Sequence, residues 1–125
     1  MLLITILLLQ FYMDFEIYEE KSIRVVLEDV TLDTGIEDAE GNTTSHGYCE
    51  PFKKKITLDK EYFENLPFIY QRELLYHELG HCALGLNHVE EEDIMRPRVY
   101  STNKDGSNWK YLVNKMKKRY NDKTK

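Results

Sequence analysis

The 125-residue chain has no internal repeat, no low-complexity stretch and no apolar run of the roughly 20 residues that a membrane-spanning helix requires. It therefore reads as neither a repeat array nor a helix that crosses a bilayer. Its most apolar stretch, Met1 to Met13, falls short of that length. It also lacks both a Lys/Arg-bearing start and a small-residue cleavage site, so the pattern of a secretory leader is incomplete. Cysteine is scarce: Cys49 and Cys82 alone leave the redox compartment open. Basic residues are not interleaved with aromatics in a nucleic-acid-binding pattern, and no nucleic-acid partner is expected. Aromatics, in contrast, are abundant. Nine tyrosines, five phenylalanines and one tryptophan do not fit a disordered chain, except at its ends.

A chain of this length buries one core and has little room for a second domain or a separate specificity module. We read residues 14–122 as that single domain, expected to be monomeric, preceded by a hydrophobic segment, residues 1–13. The segment either serves export or membrane anchoring, with membrane contact through residues 1–13, or forms the first helix or strand of the core. Charge is unevenly placed. Residues 1–94 hold 7 basic and 20 acidic side chains, whereas residues 95–125 hold 10 basic and 2 acidic ones. A basic end suits nucleic acid or an anionic membrane. Without a binding motif, the preferred reading is an amphipathic helix whose Lys-rich outer face offsets an acidic body.

Residues 77–88 read His-Glu-Leu-Gly-His-Cys-Ala-Leu-Gly-Leu-Asn-His and hold three of the four histidines. Histidines four apart on a helix lie about 40° apart around its axis, so His77 and His81 can present both imidazoles to one metal ion. Glu78 lies about 100° from His77 and about 60° from His81, within reach of a metal-bound water without being a ligand. Beyond the helical run, Gly85 can adopt the left-handed conformation that ends a helix. The chain can then bring His88 back as a third ligand and leave the fourth position to water. Zinc held by neutral imidazoles lowers the pKa of its bound water, and a neighbouring carboxylate can move the proton to a leaving amine. One catalytic Zn2+ is the expected cofactor. Glu90, Glu91, Glu92 and Asp93 are alternative oxygen ligands should His88 not reach.

With Gly85, His88 and Ile94-Met95-Arg96-Pro97, this stretch resembles the metzincin zinc metallopeptidases, whose signature is HExxHxxGxxH followed by a methionine-containing turn. The IMxP turn is similar to that of the matrixin-like branch. The whole is also similar to small bacterial and phage-type metallopeptidase sequences with HELGHCxLGxxH. The resemblance implies His77, His81 and His88 as zinc ligands and Glu78 as general base. It implies Gly85 as the turn glycine, Met95 as an apolar floor under the imidazoles, and Pro97 as part of the Met-turn. The implied fold is a small α+β domain: a short mixed twisted sheet packed on a central active-site helix, then the Met-turn and a C-terminal helix. The implied function is hydrolysis of peptide bonds in a peptide or protein substrate. There is one departure. Cys82, Ala83 and Leu84 separate His81 from Gly85 where the signature has two residues. An additional helical residue rotates the exit by about 100°, which the turn must absorb.

Elsewhere, Ser22–Val30 reads as a strand. Residues 31–46 read as a loop that includes the lone His46 and a formal glycosylation sequon, Asn42-Thr43-Thr44, taken as unmodified. Tyr48–Leu58 reads as a hairpin with its turn within Glu50–Lys54. In metzincins an extended substrate pairs with an edge strand just before the active-site helix, and by position that strand lies here. The active-site helix is expected to begin near Asn65–Pro67, with a capping residue ahead of the proline, and to run from Phe68 to Leu84. Cys82 lies about 140° from His77, on the face of Leu75, Leu79 and Leu86, so it is no ligand. Cys49 and Cys82 form either a disulfide or two buried thiols. Trp109, Leu112, Val113, Met116 and Tyr120 recur at helical spacing as a core-facing stripe. Tyr100, five residues after Met95, reads as packed.

Two other functions compete. Zinc-dependent endoribonucleases carry a similar three-histidine pattern, but they lack a glutamate after the first histidine and place the third histidine one residue nearer. A non-catalytic, zinc-stabilised binding or structural protein has no use for Glu78 beside an open fourth position.

Overall fold

Residues 68–82 carry apolar side chains around the whole helical circumference, the pattern of a helix enclosed on every side. The computed structural model describes residues 2–17, 23–29, 36–37, 43–44, 47–96 and 106–123, and in it this helix, α3 (Phe68–Cys82), has nine consecutive buried residues, Glu73 to His81. Everything else is arranged around it. The result is a small α+β domain with a C-terminal helix.

A three-stranded sheet covers one side, formed by β1 (Arg24–Glu28), β4 (Gly47–Glu50) and β5 (Lys55–Asp59) in the order β1-β5-β4. β1 runs parallel to β5, with Val25 opposite Ile56 and Leu27 opposite Leu58. β4 is antiparallel to β5, with Cys49 opposite Ile56, so the sheet is mixed. The β4–β5 hairpin reverses through a 3-10 turn (Pro51–Lys53) and Lys54, whose φ of 48° is left-handed. β5 is the interior strand, which explains its uninterrupted buried run Ile56-Thr57-Leu58: both of its faces are covered. The two edges of the sheet are β1 and β4, the latter being the outer strand of the hairpin.

Three expectations need correction. Within residues 31–46, read as a loop, β2 (Ile36–Glu37) and β3 (Thr43–Thr44) form an antiparallel ladder. Two residues a side are too few to leave a period-two signal. A short helix, α2 (Lys60–Asn65), lies between β5 and α3, and Asn65 ends it by donating to the Glu61 carbonyl instead of capping α3. The capping position is Pro67, whose carbonyl accepts from the Tyr70 and Gln71 N–H groups. Finally, α3 ends at Cys82, two residues before the expected Leu84. Asn42, His46, Pro97 and Tyr100 lie outside the described residues.

Two helices flank α3 away from the sheet. α1 (Leu2–Asp14) buries Ile4, Leu7 and Phe11, while Leu2, Ile6, Leu9 and Met13 on its opposite face are exposed. Among the described residues no helix is long and apolar enough to cross a membrane. α4 (Trp109–Lys123) turns Leu112, Val113 and Met116 inward, and Trp109 and Tyr120 pack partly buried beside them. Tyr76 of α3 joins both helices. Its ring meets Phe11 edge-on at 5.1 Å and Trp109 at 4.8 Å, and its hydroxyl donates to Asp14 Oδ2 at 2.7 Å. On the sheet side, a disulfide joins Cys49 of β4 to Cys82 at the end of α3, with Cα atoms 5.6 Å apart.

Two measurements follow from these ties. Replacing Cys49 and Cys82 together by alanine opens a closure spanning 33 residues. It should lower the unfolding free energy by about 3–4 kcal/mol in urea titrations; a loss under about 1 kcal/mol would show that the crosslink does little for the fold. The second concerns alkali. Burial, then the bond to Asp14, raises the Tyr76 pKa above its ordinary 10.0. A raised value means that this stabilisation is complete below 10.0 and is lost as pH climbs past it. Tyr76→Phe should therefore cost about 1 kcal/mol near neutral pH, and the deficit should shrink when denaturation is repeated above pH 10.0.

Candidate metal centre

The site is built by one reversal of the chain at the end of α3. Ala83 closes the helix, and Gly85, at φ 64°, takes the left-handed conformation. The Gly85 N–H donates to the His81 carbonyl at 3.2 Å, the usual closure for a glycine just past a helix. The Leu86 N–H then reaches back to Gly80 at 2.9 Å, one residue further than the common six-residue closure. This wider loop encloses Cys82, Ala83 and Leu84, which separate His81 from Gly85. His88 is thereby returned over the helix.

His77 and His81 are buried one turn apart on α3, and the returning backbone orients both. The Leu86 carbonyl accepts from His81 Nδ1 and the Ile94 carbonyl from His77 Nδ1, each at 2.7 Å. A carbonyl can only accept, so both Nδ1 atoms carry protons, and the neutral rings offer bare lone pairs at Nε2. Half-buried His88 sets its Nε2 3.1 Å from His81 Nε2 and 3.2 Å from His77 Nε2. The candidate ligand atoms of the three residues all lie within 4.8 Å of one another.

One ring nitrogen carries at most one proton, so His88 Nε2 can donate to only one of the two rings at a time. A cation at the centre would be shared by all three nitrogens. Ligands bound at about 2.0–2.1 Å in a tetrahedron stand about 3.3 Å apart, so the spacing fits one metal ion with a fourth position left over. The three histidines expected as ligands are brought together.

The acidic run is not. Asp93 is buried, with Oδ1 accepting the Met95 N–H at 2.8 Å and Oδ2 paired with Arg119 at 2.6 Å. That pairing holds the Arg119 pKa above its ordinary range. Glu91 faces Lys115 and Arg119 at 3.6 and 3.3 Å, and Glu92 accepts from Asn108 at 3.4 Å. These carboxylates engage α4 and its approach. As fallback ligands, Glu91, Glu92 and Asp93 are corrected by their engagement with cations and amides.

Glu78 is buried on α3 directly beside His77, under the edge strand: a Cβ added to Gly47 of β4 would come within 3.8 Å of Glu78 Cγ. Met95 is fully buried, and its thioether packs on Gly80, between the two helical histidines. A Cβ at Gly80 would overlap Met95 Sδ and stand 2.8 Å from Met116 Cε. The dipeptide Ile94-Met95 thus fixes the His77 ring through its carbonyl and supports the helical turn that carries both histidines.

Sequence reasoning missed the two orienting carbonyls, the role of Asp93, and the cations of α4. Two of these left a signal. Asp93 stands two residues before Met95, the spacing at which an aspartate side chain accepts a backbone N–H. Lys115, Arg119 and Lys123 recur every four residues and so share a helix face. The carbonyls left none, because any residue has one. No protein family, curated protein or solved structure matches the chain.

Alanine in place of an interior helical glycine normally stabilises by about 0.5–1 kcal/mol. At Gly80 the sign should reverse. Gly80→Ala must displace Met95 and Met116 and should destabilise by about 1–3 kcal/mol in thermal or urea unfolding; a more stable variant would refute this packing.

Proposed function

We propose that this protein is a zinc-dependent metallopeptidase, with His77, His81 and His88 as ligands and Glu78 as general base. One observation carries the reading. Two helical imidazoles with bare Nε2 atoms and a third from a loop converge on one point, and a buried carboxylate follows the first of them on the same helix. Imidazole donors suit zinc, and three neutral ligands with an open fourth position are a common catalytic set. Zinc bound there supplies a Lewis acid that polarises a carbonyl and lowers the pKa of a bound water to about 7.

The chain's own groups do the remaining work. Glu78 accepts the proton of the attacking water and returns it to the leaving amine. The carbonyls of Leu86 and Ile94 hold two ligand rings in the tautomer that leaves Nε2 unprotonated. β4, an antiparallel edge strand lying over Glu78, suits an extended peptide that adds a strand alongside it. The absence of a side chain at Gly47 lets β4 pack against Leu58 of β5 while it passes over the carboxylate-bearing Glu78.

Metal content measured beside cleavage of a broad peptide library tests the reading. Wild type should bind one zinc ion and cleave. Glu78→Ala should keep the metal and lose about 100-fold or more of the rate. Chelation should abolish cleavage, and added zinc should restore it. If wild type and Glu78→Ala both hold zinc and neither cleaves any peptide, the peptidase assignment fails. RNA cleavage that survives Glu78→Ala would transfer the site to a nuclease.

A further inference from the structure

The three ligands are not held alike. His77 and His81 ride on a helix enclosed by the fold, whereas His88 sits in the middle of a loop, residues 84–93, with no element of its own. That loop is gripped along its length by one face of α4. Lys115, Arg119 and Lys123 stand four residues apart and share a stripe on the helix. Lys123 Nζ donates to the carbonyls of Leu84, at 3.3 Å, and of Gly85. Arg119 pairs with Asp93 Oδ2 at 2.6 Å and with Glu91 Oε1 at 3.3 Å. Lys115 donates to the Glu92 carbonyl and lies 3.6 Å from Glu91 Oε2.

Both ends of the loop are therefore fastened, four residues before His88 at Leu84 and five after it at Asp93. The fastening differs in kind at each end. At the entry it is an ammonium on two main-chain carbonyls, at the turn where a Cβ on Gly85 would meet Lys123 Nζ at 2.7 Å. At the exit it is a guanidinium on a carboxylate whose side chain is wholly out of water. Asp93 in turn holds the Met95 N–H, and Val89 N–H donates to the Met95 carbonyl at 3.1 Å, closing the loop behind His88.

We propose that Lys115, Arg119 and Lys123 are positioning residues of the metal centre. They fix the loop on α4 so that the His88 imidazole meets the other two. This rests on the three histidines holding a metal. The acidic run after His88 thus serves as the anchor of the third ligand, and the basic C-terminal helix is what it anchors to. Residues acting on a ligand from behind typically change metal affinity by about 10–100-fold.

The test is Co2+ binding to the full chain, with affinity from chelator competition and geometry from the visible absorption of the bound ion. Arg119→Leu and Lys123→Met should each weaken binding by about 10–100-fold and alter the spectrum. Arg119→Lys, which keeps the charge on Asp93, should recover part of the loss. Tyr76→Phe removes a buried bond on the far side of α3 and should leave affinity and spectrum unchanged. That control separates positioning from a general loss of stability. If Arg119→Leu does not fold, Lys123→Met still decides the matter. Unchanged affinity and spectrum in folded Lys123→Met would overturn the clamp while leaving the metal site intact. A wild type that takes up no Co2+ would overturn the metal site itself, and the clamp with it.

Discussion

The middle of α3 is buried, and it carries Glu73, Tyr76, His77, Glu78 and His81 into the interior, where polar side chains need partners. For three of these the partners are distinct and come from different parts of the chain. Asp14 takes the Tyr76 hydroxyl, Ile94 takes His77 and Leu86 takes His81. The last two do more than satisfy a donor. By occupying Nδ1 they settle which tautomer each ring adopts, and so which nitrogen is left bare. The requirement to bury α3 and the requirement to present lone pairs to a cation have the same solution.

Steric fit reinforces it. Gly80 lies between the two helical histidines, where Met95 and Met116 arrive from the returning loop and from α4. The helix, the loop and the C-terminal element thus meet at one missing side chain. On the opposite flank the Cys49–Cys82 disulfide fastens the last residue of α3 to the edge strand. The turn that follows therefore starts from a fixed point. Its wide closure from Leu86 to Gly80 reverses the chain without unwinding the turns that carry His77 and His81.

Much of this was legible in the sequence, for identifiable reasons. The β4–β5 hairpin, α3 and the inward stripe of α4 follow from periodicity and from turn residues, which act locally, while the α+β class came with the resemblance carried by residues 77–97. The histidine cluster was legible because metal ligands have strict spacing: His77 and His81 one turn apart, and Gly85 ahead of His88. What escaped was non-local or carried by groups common to all residues. The parallel pairing of β1 with β5 brings together strands far apart in the chain and places β5 inside the sheet. α2 is too short for its own period to show. The destination of the acidic run depended on where α4 docks. Glu91, Glu92 and Asp93 look like oxygen ligands until Lys115 and Arg119 are seen beside them.

The separation between ligands and anchors has a consequence for the order of assembly. The three imidazoles come from twelve consecutive residues, and a loop of that size closes in about 10–100 ns. The bonds from α4 to the loop span 23 to 39 residues and depend on a helix made later than the loop it holds. Contacts of long sequence separation form late and slowly. A chain still being synthesised would thus possess all three imidazoles of the cluster before it possesses the surface against which their loop comes to rest.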